Sequence, residues 1–323
     1  GKDVFYKGSI AKKIVNHQKN NGGLISHKDL EGYQVKYRKP VYGTYKGHKI
    51  YSMSPPSSGG VHIVQMFNMT EMLKLDRPTS PNTVHLISQI MQMAYADRAK
   101  YLGDSDFKEV PVKGLTSKKY AKDQMRYLNR RRHRSSEEVD YGNPLRYESD
   151  ETTHLTVMDK KGFVVTSTQT INGYMGSGVV VPGTGFLLNN EMDDFAVKLG
   201  ASNMFGAIGG EKNLIEPRKR PLSSMSPTIV TDKNGKVIMA LGTPSGTRII
   251  NCVFQTMLNY LEFKLPLYDS VALVRYHHQW KPDYLRVGAP FLPPSTEQIL
   301  KKRGHTIKHN NLGCRVNAIS SEN

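Results

Sequence analysis

A threonine pair beside an acidic segment, Asp150-Glu151-Thr152-Thr153-His154, is the clearest candidate for chemistry in this sequence. If the peptide bond before Thr152 were cut, its hydroxyl and a free α-amine would belong to one residue. A free α-amine has a pKa of about 7.7 to 8, so it could act as the general base for that hydroxyl. A Thr-Thr pair before a strand is also ordinary β-branched sequence, and the pair alone leaves both interpretations open.

Other short motifs are weaker. Ser9-Ile10-Ala11-Lys12 matches S-x-x-K without its partner motifs, and Gly242-Thr243-Pro244-Ser245-Gly246 places its serine one position too late for a nucleophile elbow. The glycines between 176 and 185 lack the spacing of a phosphate-binding loop. His277 and His278 are adjacent, so their side chains diverge. The sequence predicts no nucleotide, cofactor or metal site.

The elements that would position such a site change in character along the chain. Apolar spacing predicts helices over 61–73, 81–101, 248–263 and 268–275. Two similar hairpins are predicted, 155–158 with 163–171 and 228–231 with 236–241. Residues 129–151 have no apolar period and are predicted to form an exposed connector. Helices, then strands, then helices indicate a layered α+β fold rather than alternating βαβ units.

Composition limits the class of protein. The 323 residues carry 45 Lys plus Arg against 28 Asp plus Glu, a formal net charge of +17, and 38% are hydrophobic, so one large or two ordinary folded domains are expected. No apolar run is long enough for a membrane span. The basic run at 130–134 precedes Ser135-Ser136-Glu137-Glu138 and has no interleaved aromatic residues. We interpret it as a solvated surface rather than a nucleic-acid site.

The compartment is not decided by these features. Cys252 and Cys314 allow at most one disulfide, and we expect both to be ordinary thiols, with Cys252 on a buried helix face. The N-terminal residues lack the apolar core of a signal peptide, so nothing in them directs export.

Several longer segments together resemble the γ-glutamyltransferase (γ-glutamyl transpeptidase) family. The segments are YSMSPPSSGGVH (residues 51–62), YADR (95–98), GFLLNNEMDDF (185–195), RKRPLSSMSPT (218–228) and RYHHQW (275–280). The similarity extends in unbroken order from about residue 4 to about residue 320. It implies an N-terminal-nucleophile hydrolase with a four-layer αββα sandwich, made as one precursor that cleaves itself. Residues 1–151 would then be the C-terminal part of the large subunit and 152–323 the small, catalytic subunit.

The resemblance also implies a reaction. Thr152 would cut the bond after Glu151, then attack the γ-carbonyl of glutathione or another γ-glutamyl amide to form an acyl-enzyme. Water would release glutamate from it, and an amino acid or peptide would give a new γ-glutamyl compound, with ping-pong kinetics. The two subunits would form a heterodimer without cofactor, metal or nucleic acid.

The same resemblance assigns individual residues. Thr170 matches the residue that positions the nucleophile, and the backbone amides of Ser245 and Gly246 match the oxyanion donors. The family contacts to the substrate α-amino group match Asn172, Glu191 and Asp194. Ser223 and Ser224 match the hydroxyls that bind the α-carboxylate, beside an arginine that lies in the family upstream of Gly1.

Two departures from the family pattern affect these assignments. Ser245 replaces a glycine, so turnover should fall if serine cannot adopt the local dihedral angles. The segment 198–210 matches the family's lid, whose tyrosine is Phe205 here. We expect more hydrolysis relative to transfer, and a transfer-to-hydrolysis ratio unchanged by Phe205→Tyr would contradict this.

The match also implies that the family's large subunit extends upstream of Gly1, so we expect residues 1–323 alone to be unstable or inactive. A periplasmic or secreted location is expected from the family. Two alternatives remain at this point: a catalytically inactive relative kept as a binding protein, and a basic nucleic-acid-binding module.

Overall fold

A computed structural model describes residues 1–144, 157–204 and 206–321. These residues form two compact units, one of Gly1–Tyr37 with Gln169–Met192 and one of Arg38–Thr168 with Asp193–Asn323. Among the described helices, none is long and apolar enough to cross a membrane.

The first unit is built from short helices and irregular backbone. Its helices are α1 (Lys2–Tyr6), α2 (Ser9–Asn20) and α3 (His27–Glu31). Ser26 caps helix α3, because its hydroxyl accepts from the Asp29 amide while the Asp29 side chain accepts from the Ser26 amide. The Phe5 ring lies 5.6 Å from that of Phe186, which packs the two segments of this unit together.

The second unit contains the remaining regular elements. Its helices are α4 (Gly59–Thr70), α5 (Pro81–Tyr101), α6 (Val112–Leu115), α7 (Lys118–Gln124), α8 (Ile249–Leu261), α9 (Leu267–Ala272) and α10 (Pro294–Lys302). Its strands are β1 (Val41–Tyr45), β2 (His48–Ser52), β3 (Val157–Met158), β4 (Val164–Val165), β5 (Thr228–Thr231), β6 (Val237–Gly242), β7 (Tyr276–His277), β8 (Leu285–Val287), β9 (Ile307–His309) and β10 (Asn317–Ser320). Short 3-10 helices cover Met125–Tyr127, Glu211–Asn213 and Gly246–Arg248, and a fourth, Glu191–Asp194, begins in the first unit and ends in the second.

A five-stranded antiparallel sheet in the order β1-β2-β5-β6-β10 is the centre of this unit. Helix α4 packs on β1 and β2 and also contacts α5 and α8. The rings of Tyr45, Phe67 and Phe254 join these layers, with successive centroids 4.7 and 4.8 Å apart. All three side chains are fully buried. The α+β prediction is therefore confirmed.

Local sequence explains which elements were predicted well. Helix α5 spans the predicted residues because Pro81 occupies its first turn and the Ser80 hydroxyl accepts from the Thr83 amide. The β5–β6 hairpin is also confirmed. Helix α4 begins earlier than predicted because Gly59 and Gly60 lie in its first turn. A Cβ at Gly60 would lie 2.4 Å from the Met53 carbonyl oxygen, so the chain passes too closely there for any side chain.

The predicted exposed connector is only partly correct. Residues 129–144 have no helix or strand, yet Ser136 and Val139 are buried. The Trp280 indole donates to both of their carbonyls, at 3.0 and 2.9 Å. In the basic run, Arg132 pairs with Glu138 at 2.8 Å, so an acidic neighbour cancels part of the positive charge of the run.

The expectation of two free thiols is wrong, because Cys252 and Cys314 form a disulfide. Cys252 does lie on the buried face of α8. The segment before β10 returns beside that helix and brings the two Cα atoms to 6.4 Å, within bridging range. This approach joins positions 62 residues apart, which the sequence could not show.

Candidate functional site

A buried arginine links two serine-containing segments of the second unit. The Arg98 guanidinium, on α5, donates from Nε to Ser58 Oγ and from Nη2 to Ser224 Oγ, both at 2.9 Å. Arg98 is 5% exposed. Burial lowers its pKa, and the nearby Tyr95 and Asp194 oppose that shift. The predicted residue Ser224 is therefore held against a cation.

Asp194 lies near the same guanidinium. Arg98 and Asp194 line one small cavity together with Asn203, Ala207 and Asn213. Asn213 Nδ2 donates to the Asp194 carbonyl at 2.8 Å, and Asn203 Nδ2 lies 3.3 Å from Asp194 Oδ1. This cavity has a volume of about 10 Å³, room for about one water molecule, so it places a positive and a negative group close together.

The backbone fixes the serine pair beside the start of α4. The Ser58 amide and hydroxyl both donate to the Ser223 carbonyl, at 2.9 and 2.8 Å. The Ser223 amide donates to the Pro56 carbonyl at 2.9 Å. The Ser223 hydroxyl accepts from the Met225 amide at 3.1 Å. The segments 51–62 and 218–228 are therefore in direct contact.

The Ser245–Gly246 turn lies between β6 and α8. Ser245 has φ +130° and Gly246 φ +53°, so a serine occupies backbone that favours glycine. Its Oγ donates to the Leu312 carbonyl and accepts from Arg248 Nε at 2.9 Å. Within the described residues, the backbone amides of Ser245 and Gly246 donate no hydrogen bond.

Three further predicted residues lie in the first unit. The Thr170 hydroxyl accepts from the Asn172 amide at 2.8 Å, and Asn172 has φ +69°. The Asn172 side chain lies 3.3 Å from the Asn190 carbonyl, adjacent in sequence to Glu191. This unit therefore brings Thr170 and Asn172 together beside the start of the Glu191–Asp194 helix.

Thr152 and Phe205 lie outside the described residues, so their predicted roles stay predictions. The described part of the predicted lid contacts the acidic pair. The Met204 amide donates to Asp193 Oδ2 at 2.9 Å, and Asn203 approaches Asp194 as above.

Sequence reasoning missed Arg98 and Ser58 as site residues. Both lie inside motifs that carried the family resemblance, residues 95–98 and 51–62. Their contacts cross 40 and 126 positions, so no local pattern joins them. The signal available in the sequence was their place inside these motifs, whereas the burial of Arg98, which requires polar partners, is seen only in the structure.

His278 belongs to a group with His133 and Asp283 whose ligand atoms all lie within 4.8 Å of one another. Asp283 Oδ1 is 3.0 Å from His133 Nε2 and 3.3 Å from His278 Nε2. The Trp280 amide lies 3.2 Å from His278 Nδ1, which places the imidazole hydrogen on Nε2, facing the carboxylate. We therefore interpret the group as a hydrogen bond between His133 and Asp283, with the His278 ring 3.3 Å from the same carboxylate oxygen.

The fold defines the class of protein. Its arrangement matches the cephalosporin acylase of Bacillus halodurans with a TM-score of 0.84 over 99% of this chain and 56% of that chain, at 23% identity. The chain therefore shares the α+β fold of that acylase.

The sequence then gives the family. The γ-glutamyltranspeptidase family model matches residues 1–323, and the chain belongs to that family. It is 43% identical to the glutathione hydrolase proenzyme of Escherichia coli over 309 residues, 95% of this chain and 53% of the relative. It is 34% identical to the acylase ACY 1 proenzyme of Pseudomonas sp. strain SE83, over 95% of this chain and 52% of the relative. The chain thus spans about half the length of these relatives.

Proposed function

We propose that the protein transfers and hydrolyses γ-glutamyl groups after cleaving itself between Glu151 and Thr152. The new Thr152 amine would accept the proton of the Thr152 hydroxyl, which attacks the γ-carbonyl of glutathione or a related amide. The acyl-enzyme would pass its γ-glutamyl group to water, an amino acid or a peptide. Membership of the γ-glutamyltranspeptidase family supports this reaction.

The observation that carries the proposal is the proximity of opposite charges, since the Arg98 guanidinium holds Ser224 and lies near the Asp194 carboxylate. A γ-glutamyl group differs from a simple acyl group by its α-ammonium and α-carboxylate. Ser224, held by Arg98, suits the carboxylate, and Asp194 suits the ammonium. Ser223 would assist at the carboxylate, while Asn172 and Glu191 would contact the ammonium.

The remaining roles follow the order of the reaction. The amides of Ser245 and Gly246 would donate to the oxyanion, and two such donors in a water-poor site are a large part of acyl-transfer catalysis. Thr170 would position the nucleophile. Each step uses groups of the chain itself, so the proposed reaction needs no cofactor.

The proposed cleavage gives two subunits, residues 1–151 and 152–323, that remain together as a heterodimer. A periplasmic or secreted location is proposed with it. The Cys252–Cys314 disulfide supports an oxidising compartment, since such bonds are rare where glutathione and thioredoxin keep thiols reduced.

The first test is the intact mass of the purified protein under denaturing conditions. We expect two fragments, the second beginning with Thr152. Thr152→Ala should give one uncut chain, whereas the matched control Thr153→Ala should still be cut. A single chain in the parent protein, or cleavage of Thr152→Ala, would contradict self-processing by Thr152.

The second test compares γ-glutamyl and glutaryl p-nitroanilides, which differ by the α-ammonium alone. We expect kcat/KM to favour the γ-glutamyl compound by at least about 100-fold, since one buried charge pair contributes about 3 kcal/mol. Equal rates would instead favour a general acylase, the activity named for the Pseudomonas relative.

A further inference from the structure

The segment 310–316, which we call the return loop, contacts the Ser245–Gly246 turn directly. Ser245 Oγ donates to the Leu312 carbonyl of this loop. Gly313, with φ +68°, lies so close that a Cβ there would be 2.9 Å from Ser245 Oγ. The loop therefore packs closely on the turn, and a residue larger than glycine at position 313 would collide with Ser245.

The disulfide and this hydrogen bond together close a ring. Cys314 follows Leu312 by two residues and is bonded to Cys252 in the first turn of α8. Helix α8 continues without a break from the 3-10 helix that begins at Gly246. The ring therefore runs from the turn through α8 and the disulfide to the return loop, and the hydrogen bond from Ser245 to Leu312 closes it.

This ring matters because the Ser245 conformation is unfavourable for serine. Such a residue keeps its dihedral angles when surrounding contacts hold it in place. Here the contacts are the Leu312 carbonyl and Arg248 Nε, one on each side of the hydroxyl. Without the covalent link, the Leu312 contact depends on the burial of Leu312 and the pairing of β10 with β6.

The disulfide can also be approached from outside. Cys252 is fully buried, but Cys314 is partly exposed and lines an open groove of about 520 Å³ with Arg275, Phe291 and His309. The Arg275 guanidinium contributes a positive charge, which favours the approach of a thiolate. Attack is therefore expected on the Cys314 sulfur.

We propose that the Cys252–Cys314 disulfide positions the Ser245–Gly246 turn and that its reduction by a dithiol lowers turnover. The inference rests on the proposed function of this turn. A dithiol thiolate attacks the Cys314 sulfur and Cys252 leaves as a thiolate. The second dithiol sulfur then displaces Cys314, so the dithiol is oxidised and the protein gains two electrons and two protons.

The experiment compares the oxidised protein with the same protein reduced by dithiothreitol. Hydrolysis of γ-glutamyl p-nitroanilide gives kcat and KM without adding a thiol substrate. Hydrogen exchange of residues 243–248 reports the turn independently of activity. On reduction we expect kcat to fall about tenfold with KM within about twofold, because a small misplacement of oxyanion donors affects the transition state most. Exchange in the turn should rise while the β5–β6 hairpin is unchanged.

Two variants make the assignment specific. Cys252→Ala/Cys314→Ala should have the low kcat of the reduced protein and no response to dithiothreitol. Ser245→Ala, which lacks the hydroxyl contact, should respond less than the parent protein. If the double variant does not fold, the comparison of oxidised and reduced parent protein still decides the question.

Unchanged kcat and unchanged exchange on reduction would overturn the inference, as would a lower thermal stability without loss of kcat. Faster exchange in a protein with no turnover in any form would support the positioning role and contradict the proposed function instead.

Discussion

Two substitutions at Ser245 separate the cost of its strained backbone from the stabilisation by its hydrogen bonds. A non-glycine residue at φ +130° costs about 1 to 3 kcal/mol. The hydroxyl makes two hydrogen bonds, each with a net contribution of about 0.5 to 1.5 kcal/mol. Ser245→Ala keeps the strain and loses both bonds, so it should lower the free energy of unfolding by about 2 kcal/mol.

Ser245→Gly loses the same hydrogen bonds but relieves the strain. These changes nearly cancel, and the added flexibility of glycine in the unfolded chain costs about 0.5 to 1 kcal/mol. The glycine variant should therefore lie within about 1 kcal/mol of the parent protein and above the alanine variant.

Urea unfolding of the three proteins, analysed at a common m-value, measures this order. An alanine variant as stable as the glycine variant would refute the argument that Ser245 is strained. A changed m-value would show that the variants altered the unfolded or folded state more broadly. Both variants lack the hydroxyl, so the difference between their free energies of unfolding measures the backbone contribution alone.

Three further predictions follow from single residues. Asp194→Asn should reduce kcat/KM for γ-glutamyl p-nitroanilide far more than for the glutaryl compound, and an equal loss on both would contradict its contact with the ammonium. Burial lowers the pKa of His62 to about 3, so its neutral form is favoured in the folded state. Below pH 6.5 the unfolded chain binds a proton that the folded state does not, and stability falls toward pH 3. His62→Gln should reduce the loss measured by urea unfolding between pH 7 and pH 5 by about 2 kcal/mol, and an unchanged loss would contradict this. Gly60→Ala should lower stability by about 2 kcal/mol or more, because its Cβ would meet a carbonyl, whereas Gly242→Ala, with neighbours at 3.6 Å or beyond, should cost less than about 1 kcal/mol.

Helices and hairpins whose limits are set by neighbouring residues could be predicted from the sequence. Pro81 and the apolar spacing after it predicted α5 to the residue, and the Asp232–Gly235 turn predicted the β5–β6 hairpin. The β1–β2 hairpin was not predicted, since its turn uses Lys46 and Gly47, both at positive φ, rather than the usual Asn-Gly or Asp-Gly.

The candidate site could be predicted only in part, because its contacts join residues that are far apart in the chain. The resemblance named Ser224 and Asp194, but not the guanidinium near both. The Arg98 contacts and the disulfide join residues far apart in the chain. Such approaches depend on how whole elements pack, and no spacing rule along the chain encodes them.

The central sheet has a consequence for how the protein would refold. Its order places β1 and β2, from before residue 152, beside β5, β6 and β10, from after it. If the chain is cut as proposed, one sheet is shared by two polypeptides. Recovery from unfolding then changes from a first-order to a second-order process, so its yield becomes dependent on protein concentration, while the uncut precursor refolds independently of concentration. The cut that creates the nucleophile would therefore also make refolding depend on the concentration of both subunits.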